Sequence, residues 1–196
     1  MYMPTSHDDI IRGEVTDILD ELVSEVRASA PFEDTIGELS VEHAFDFDGC
    51  LGEEVPEDLE ADDLLFWSEL KREMHEQTKG LPRERRCISI ATNRQSKACD
   101  DWASYVNEGP SCFPLYVERA EFLDVDLDFF LLPDVKHNLP SGTSFRRIMD
   151  TDYDGEHVGW AFDHSKISLI YAKIHRAAMC NPHGEVAFTF YDDRSD

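Results

Sequence analysis

Basic residues are scarce in this chain of 196 residues: 18 Lys and Arg stand against 42 Asp and Glu, a formal charge of -24. A body so acidic repels phosphate backbones and anionic lipid, so no nucleic acid and no membrane surface is expected as a partner. No apolar stretch approaches the ~20 residues needed to cross a bilayer. The opening Met1-Tyr2-Met3-Pro4 lacks the basic and apolar regions of a signal peptide. Cysteine is sparse too. Cys50, Cys87, Cys99, Cys112 and Cys180 are an odd, scattered set without a C-x-x-C pair, which argues against a disulfide framework or a zinc cage. A soluble, cytoplasmic chain in a reducing compartment is the expectation. No cysteine has an Arg six positions on, the spacing of thiol-based phosphatases; Cys87 and Cys112 each miss it by one, with Arg94 and Arg119. G-x-S-x-G, G-x-G-x-x-G, P-loop and H-E-x-x-H patterns are absent as well.

What is present is a globular pattern. Apolar residues make up 41% and aromatics 11%, too many for a disordered chain, and the length suits one domain with one sizeable core. Ile11, Val15, Ile18, Leu19, Leu22, Val23 and Val26 fall at helical spacing, which predicts an N-terminal helix within residues 1–40, packed on a core spanning 41–196. Val41 to Phe47 reads as a buried strand entering a tight turn at Gly49, followed by an acidic loop from Gly52 to Asp63. A helix through Leu64, Trp67, Leu70 and Met74 ends before Gly80 and Pro82. A second strand, Cys87 to Ala91, stops at Thr92, and a helix from about Ser96 to Val106 follows, marked by Ala98, Trp102, Tyr105 and Val106. Phe129 to Leu132 predicts a third strand halted by Pro133, then roughly 30 residues without a steady period, long for a connection. A helix opening at Ser165 runs to Asn181-Pro182, and Val186 to Phe190 is the last strand.

Apolar strands alternating with helices imply an α/β fold, a parallel sheet with helices on both faces. Ligands of such sheets bind beyond the carboxyl ends of the strands. There the sequence puts Asp46 and Asp48, Thr92, and Asp192 and Asp193, joined by Lys166 in the first turn of a helix. An acidic pair alone is weak evidence, since this chain has four other D-x-D spacings between Asp124 and Asp154. Asp46-Phe47-Asp48-Gly49 stands apart through the apolar run before it, the Gly after it and three further polar elements in order downstream.

In these four elements the chain resembles the haloacid dehalogenase (HAD) superfamily of phosphatases. Ala-Phe-Asp46-Phe-Asp48-Gly-Cys-Leu is similar to its first motif, Ile-Ser-Ile-Ala-Thr92 to its second, Lys166 to its third and Tyr-Asp192-Asp193-Arg-Ser-Asp196 to its fourth. Cys50 stands where Thr or Val is common, and Tyr191 where Gly often precedes the metal-binding acid; the charged roles are kept. The resemblance implies a HAD-like Rossmannoid core and a phosphomonoesterase working through a phosphoaspartyl intermediate. Asp46 would be the nucleophile and Asp48 the acid and base. Thr92 would bond phosphoryl oxygens, and Lys166 would offset negative charge. Mg2+ would be held by Asp46, the Asp48 backbone carbonyl and Asp192, with Asp193 and Asp196 as further candidates. An acid at Asp48 favours phosphoryl transfer over carbon-halogen cleavage.

Each residue also has a plainer reading: the acids as solvated surface, Thr92 as a turn residue, Lys166 as exposed with Lys173 its competitor, and Arg94 as a surface Arg. Asp150-Thr-Asp152-Tyr-Asp154-Gly155 matches half an EF-hand loop, but Ala161 replaces the bidentate Glu, so a loop at the site's mouth is expected. Only 45 residues separate Asp46 from Thr92 and 73 separate Thr92 from Lys166, which leaves no room for a large cap domain. An open crevice suits a phosphorylated protein or peptide. The resemblance extends to capless, phosphotyrosine-directed HAD effectors that intracellular bacteria secrete into the host cytosol. Tyr153, Trp160 and Phe162 are candidates to stack on a phosphotyrosine ring. The chain ends at the fourth motif, where a further helix is expected, which suggests truncation. A small-molecule phosphatase for sugar phosphates or nucleotides, and a non-catalytic HAD-like binding module, stay open as alternatives.

Overall fold

The computed structural model describes residues 39–52, 64–150, 166–182 and 184–193, with the backbone alone described over 64–69. The helix expected near the N-terminus, most of the acidic loop, the half EF-hand loop beyond Asp150 with its aromatics, Ser165 and Asp196 lie outside these residues. No helix among the described residues is long and apolar enough to cross a membrane.

The chain is α/β. Strands β1 (Ser40–Phe45), β2 (Arg86–Ile90), β3 (Asp126–Asp128) and β4 (Val186–Tyr191) form one sheet in the order β3-β2-β1-β4, every pair parallel. The architecture is Rossmann-like. Helices α1 (Leu64–Gln77), α2 (Lys97–Val106), α3 (Cys112–Leu123), α4 (Leu132–Lys136), α5 (Thr143–Met149) and α6 (Ile167–Cys180) fill the connections. Strand β1 is central and buried from Val41 to Phe45, as a strand covered on both faces must be. On one face Phe45 joins Ile88, Ile90, Met74, Phe113 and Tyr116 in the main core. The Tyr116 hydroxyl, fully buried, donates to the Phe45 carbonyl at 2.7 Å and so anchors α3 beneath the end of β1.

Three expectations need correction. The third strand lies at Asp126–Asp128, before the apolar run; β3 is an edge strand and half-buried, so it needs no continuous apolar sequence. Phe130 and Leu132 instead pack with Leu169 and Ala172 of α6, and Pro133 sits in the first turn of α4, where a missing N–H costs nothing. Second, α3 is a helix that the sequence pattern does not predict. Its buried residues Cys112, Phe113, Tyr116, Arg119, Ala120 and Leu123 have helical spacing, but Gly109-Pro110 and Pro114 read as breakers, although Pro114 lies within the first turn and is tolerated there. Third, the supposedly irregular stretch after Pro133 contains α4 and α5. The Asp134 carboxylate ties them together by accepting the backbone N–H groups of Leu131, Gly142 and Ser144.

Candidate functional site

The polar residues that end β1, β2 and β4 meet at one edge of the sheet. Strand register sets this up: Phe45 pairs with Ile90 on one side and Tyr191 on the other, so Asp46, Thr92 and Asp192 each follow within two residues of one line across three strands. Asp46 stays extended, its N–H bonded to the Tyr191 carbonyl at 2.8 Å. The chain then coils through Phe47–Leu51, with Gly49 at a φ of 68°. A Cβ on Gly49 would run into the Asp193 carboxylate, so this turn can approach the end of β4 closely only because Gly stands there. Tyr191, in the place where Gly is common in the family resembled, stacks its ring on Phe45 at 4.4 Å and hydrogen-bonds the His43 ring at 3.1 Å.

Lys166 joins the strands. Its Nζ donates to Asp46 Oδ2 and to Asp192 Oδ2, 2.7 Å in each case, and the residue is 3% exposed. It is not in the first turn of α6 as expected but at the N-cap, with φ 52°, a left-handed conformation that a lysine adopts only at a cost. Lys173, the competitor on the same helix, points elsewhere: it donates to the Phe130 carbonyl and lies 3.7 Å from Asp128. Asp46, Asp192 and Asp193 have carboxylate oxygens within 4.8 Å of one another, the one such trio of potential ligands among the described residues. Burial pushes the Asp46 carboxyl up from its ordinary value, a trend that Lys166 opposes. Burial and then the charges of Asp46, Asp192 and Asp193 raise the neighbouring Cys50 thiol to about 12, so it stays protonated and is no nucleophile.

Nothing among the family models, the curated proteins or the solved structures matches this chain. The site's chemistry therefore rests on its own geometry.

Arg94 departs from expectation. Instead of lying on the surface it is 3% exposed, and its guanidinium grips Asp48 with two donors, Nε to Oδ2 at 3.1 Å and Nη2 to Oδ1. Its Nη1 reaches Asp100, Ser104 and the Pro110 carbonyl, each at 3.2 Å, and its plane lies over the Phe47 ring. Asp100 in turn accepts from the Ser111 hydroxyl and the Cys112 N–H. Asn107, which caps α2, donates to Asp48 Oδ1 at 3.1 Å. Asp48 is thus turned away from the Lys166 cluster into a separate cationic clamp, with 45% of its side chain exposed. The sequence points to Arg94 only as a surface residue, and it does not single out Asp100 and Ser104 as its partners or Asn107 as a partner of Asp48. Their one signal was polar spacing along α2, and that is ordinary for a helix.

Thr92 is buried at the end of β2. Its hydroxyl accepts from the Arg94 N–H at 3.3 Å and its carbonyl from Gln95 at 2.7 Å, leaving the hydroxyl hydrogen to donate.

Proposed function

We propose that the protein is a Mg2+-dependent phosphomonoesterase of the HAD type that forms a phosphoaspartyl intermediate and dephosphorylates phosphotyrosine in proteins. The observation that carries the reading is the buried Lys166, held 2.7 Å from two carboxylates at the ends of adjacent parallel strands. Surface acids do not collect a buried ammonium in this way, since burial of the cation is costly unless bonded.

The residues fit a divalent cation. Asp46, Asp192 and Asp193 offer hard oxygens, and Lys166 balances one of three negative charges. These acids and the Asp48 backbone carbonyl would hold Mg2+, which supplies charge neutralisation for a phosphate dianion. Asp46 Oδ attacks phosphorus as the bond to the departing ester oxygen breaks, and Lys166 keeps the other Asp46 oxygen fixed. Thr92 donates its hydroxyl hydrogen to a phosphoryl oxygen. Asp48 delivers a proton to the leaving oxygen and then takes one from the water that opens the acyl phosphate. Since the Arg94 clamp and Asn107 engage both of its oxygens, Asp48 must turn out of this clamp, or release one oxygen from it, to reach the substrate.

Turnover of para-nitrophenyl phosphate with Mg2+ or with EDTA, by the native chain and by Asp46→Asn, tests this mechanism. Activity is expected only with the cation and the carboxylate together; survival in EDTA or in the variant would sink it. Phosphotyrosine, phosphoserine and phosphothreonine peptides assayed beside sugar phosphates and nucleotides then test the substrate class, and metabolites ahead by orders of magnitude would overturn it.

A further inference from the structure

Helix α2 is built inside out. Ala98, Trp102, Tyr105 and Val106 fall at i, i+4, i+7 and i+8, one apolar stripe of the kind that ordinarily faces a core. Here that stripe faces solvent: Trp102 is 65% exposed, Tyr105 84% and Val106 52%. The inward positions are polar, with Asp100 at 2% and Ser104 half-buried, because this side of the helix holds Arg94. The inversion therefore serves the clamp on Asp48, and it leaves an aromatic surface with no described partner.

The stripe is continuous with the candidate site. Asn107, next after Val106, touches Asp48, the residue assigned to the leaving oxygen. Asp48 comes from this side when it leaves the clamp to meet that oxygen, so the stripe begins beside the path of the leaving group. Aromatic side chains carry ~150–250 Å² each, so the stripe offers roughly 400 Å², the size of patch that on monomers is often functional. A stable dimer needs about 800 Å² from each partner, which the stripe lacks. Its rim carries Glu108 together with Asp48 and Asp101, whose charges are shared with Arg94 and Lys97, on a chain of net charge -24. Apolar centre and acidic rim together fit a short polypeptide segment with an apolar anchor and basic neighbours.

We propose that the outward stripe of α2, centred on Trp102 and Tyr105, docks the polypeptide that carries the phosphorylated residue, taking an apolar side chain flanked by Lys or Arg. This rests on the phosphatase reading above and names its substrate surface.

The test uses the full chain and the double variant Trp102→Ser/Tyr105→Ser. Three phosphotyrosine peptides serve as probes: one with a Leu anchor and Arg neighbours, one with Ala for Leu, and one with Glu for Arg. The native chain should prefer the first by tenfold or more in kcat/KM. The variant should lose that preference through KM while turning over para-nitrophenyl phosphate within twofold of native. Binding of the same labelled peptides, followed by fluorescence anisotropy, reads docking without turnover and should weaken at least tenfold for the first peptide alone. Equal binding of all three peptides, or no change in the variant, overturns the proposal. So does a native dimer in sedimentation that the variant abolishes, since the stripe would then serve a second copy. Failure of the nitrophenyl assay with peptide selectivity intact would strike the phosphatase reading and spare the docking surface.

Discussion

Replacing Glu42 with Gln should stabilise the protein at pH 8 relative to its effect at pH 5. Glu42 sits mid-strand in β1, 7% exposed, and its Oε1 has no hydrogen-bond partner. Burial, with Asp128 adding to it and Lys173 opposing, raises its carboxyl from 4.5 to about 7. The protonated acid is therefore the form that suits the fold. Its contribution is whole below about pH 4.5 and is lost as the pH climbs through about 7. A gap of about 2.5 pH units corresponds to roughly 3 kcal/mol at about 1.4 kcal/mol each, an upper figure for a group beside a buried lysine. Neighbouring His43 works the other way. Burial lowers its imidazole from 6.5 to about 4, so the neutral ring suits the fold and stability falls as pH drops through that window. The two slopes oppose each other between about pH 4.5 and 6.5, and the native chain should show little net dependence from this pair. Glu42→Gln removes one slope and exposes the other. Urea unfolding at half-unit steps from pH 4.5 to 8, with an unchanged m value, should show the variant gaining up to about 3 kcal/mol on the native chain as pH rises. A difference between the two proteins that is constant with pH, or that falls toward pH 8, would refute the assignment of a protonated, buried Glu42.

Other consequences concern the site. Lys166→Met leaves Asp46 and Asp192, with side chains 10% and 11% exposed, without their shared ammonium; unfolding in EDTA should come about 3–5 kcal/mol earlier, and millimolar Mg2+ should recover part of the loss in a thermal melt. Gly49→Ala forces a Cβ toward the Asp193 carboxylate at a positive φ, so titration calorimetry should show Mg2+ binding weakened about tenfold or more, with the fold retained. Arg94→Lys keeps the charge but not the two-donor grip on Asp48, so alkyl phosphates, which need a proton on the leaving oxygen, should lose about 10²-fold in kcat while para-nitrophenyl phosphate loses far less. A parallel loss on both substrates would mean that Arg94 only supports the fold.

The parts of the fold legible in the sequence were those where burial leaves a one-dimensional trace. Strands β1, β2 and β4 are apolar runs that stop at a polar residue, and they occur where expected, with Asp46, Thr92 and Asp192 at their ends. The edge strand β3 carries Asp126 and Asp128 and left no such trace. Helix α3 was hidden by Pro114, whose position in the first turn cannot be known before the helix itself is placed. Lys166 and Lys173 are seven residues apart on one helix, and only the packing of α6 against β4 separates the one that reaches Asp46 from the one that reaches Asp128. Arg94 was hardest of all. A helix with an apolar stripe is assumed to turn that stripe inward, which would leave Asp100 and Ser104 outside and Arg94 in solvent. The reverse occurs where Asp100 and Ser104 on the inner face receive the Arg94 guanidinium, whose five donors need acceptors once it is buried.

The scarcity of positive charge sharpens where chemistry is possible. Arg94, Lys166 and Lys173 are each 3% exposed or less, a costly use of cations in a chain with so few of them, and each is bonded or close to carboxylates from another element. Burial and pairing do not by themselves tell a reactive centre from a structural one, because both need satisfied charges. Access does. The Lys173 group has no acid as open as Asp48 or Asp193: Lys173 is wholly buried, Asp128 beside it is 16% exposed, and Glu42 on β1 is 7% exposed. Lys166 and Arg94 instead stand at the carboxyl edge, and each has an acid near it that solvent reaches, Asp193 beside the first and Asp48 on the second. At this edge stand an ammonium that fixes two acids and a guanidinium that holds a third. The outward aromatic stripe of α2 begins at the same edge, where Asn107 bonds Asp48, so on the proposed phosphatase reading the surface that takes the phosphate adjoins the one that holds the rest of the molecule.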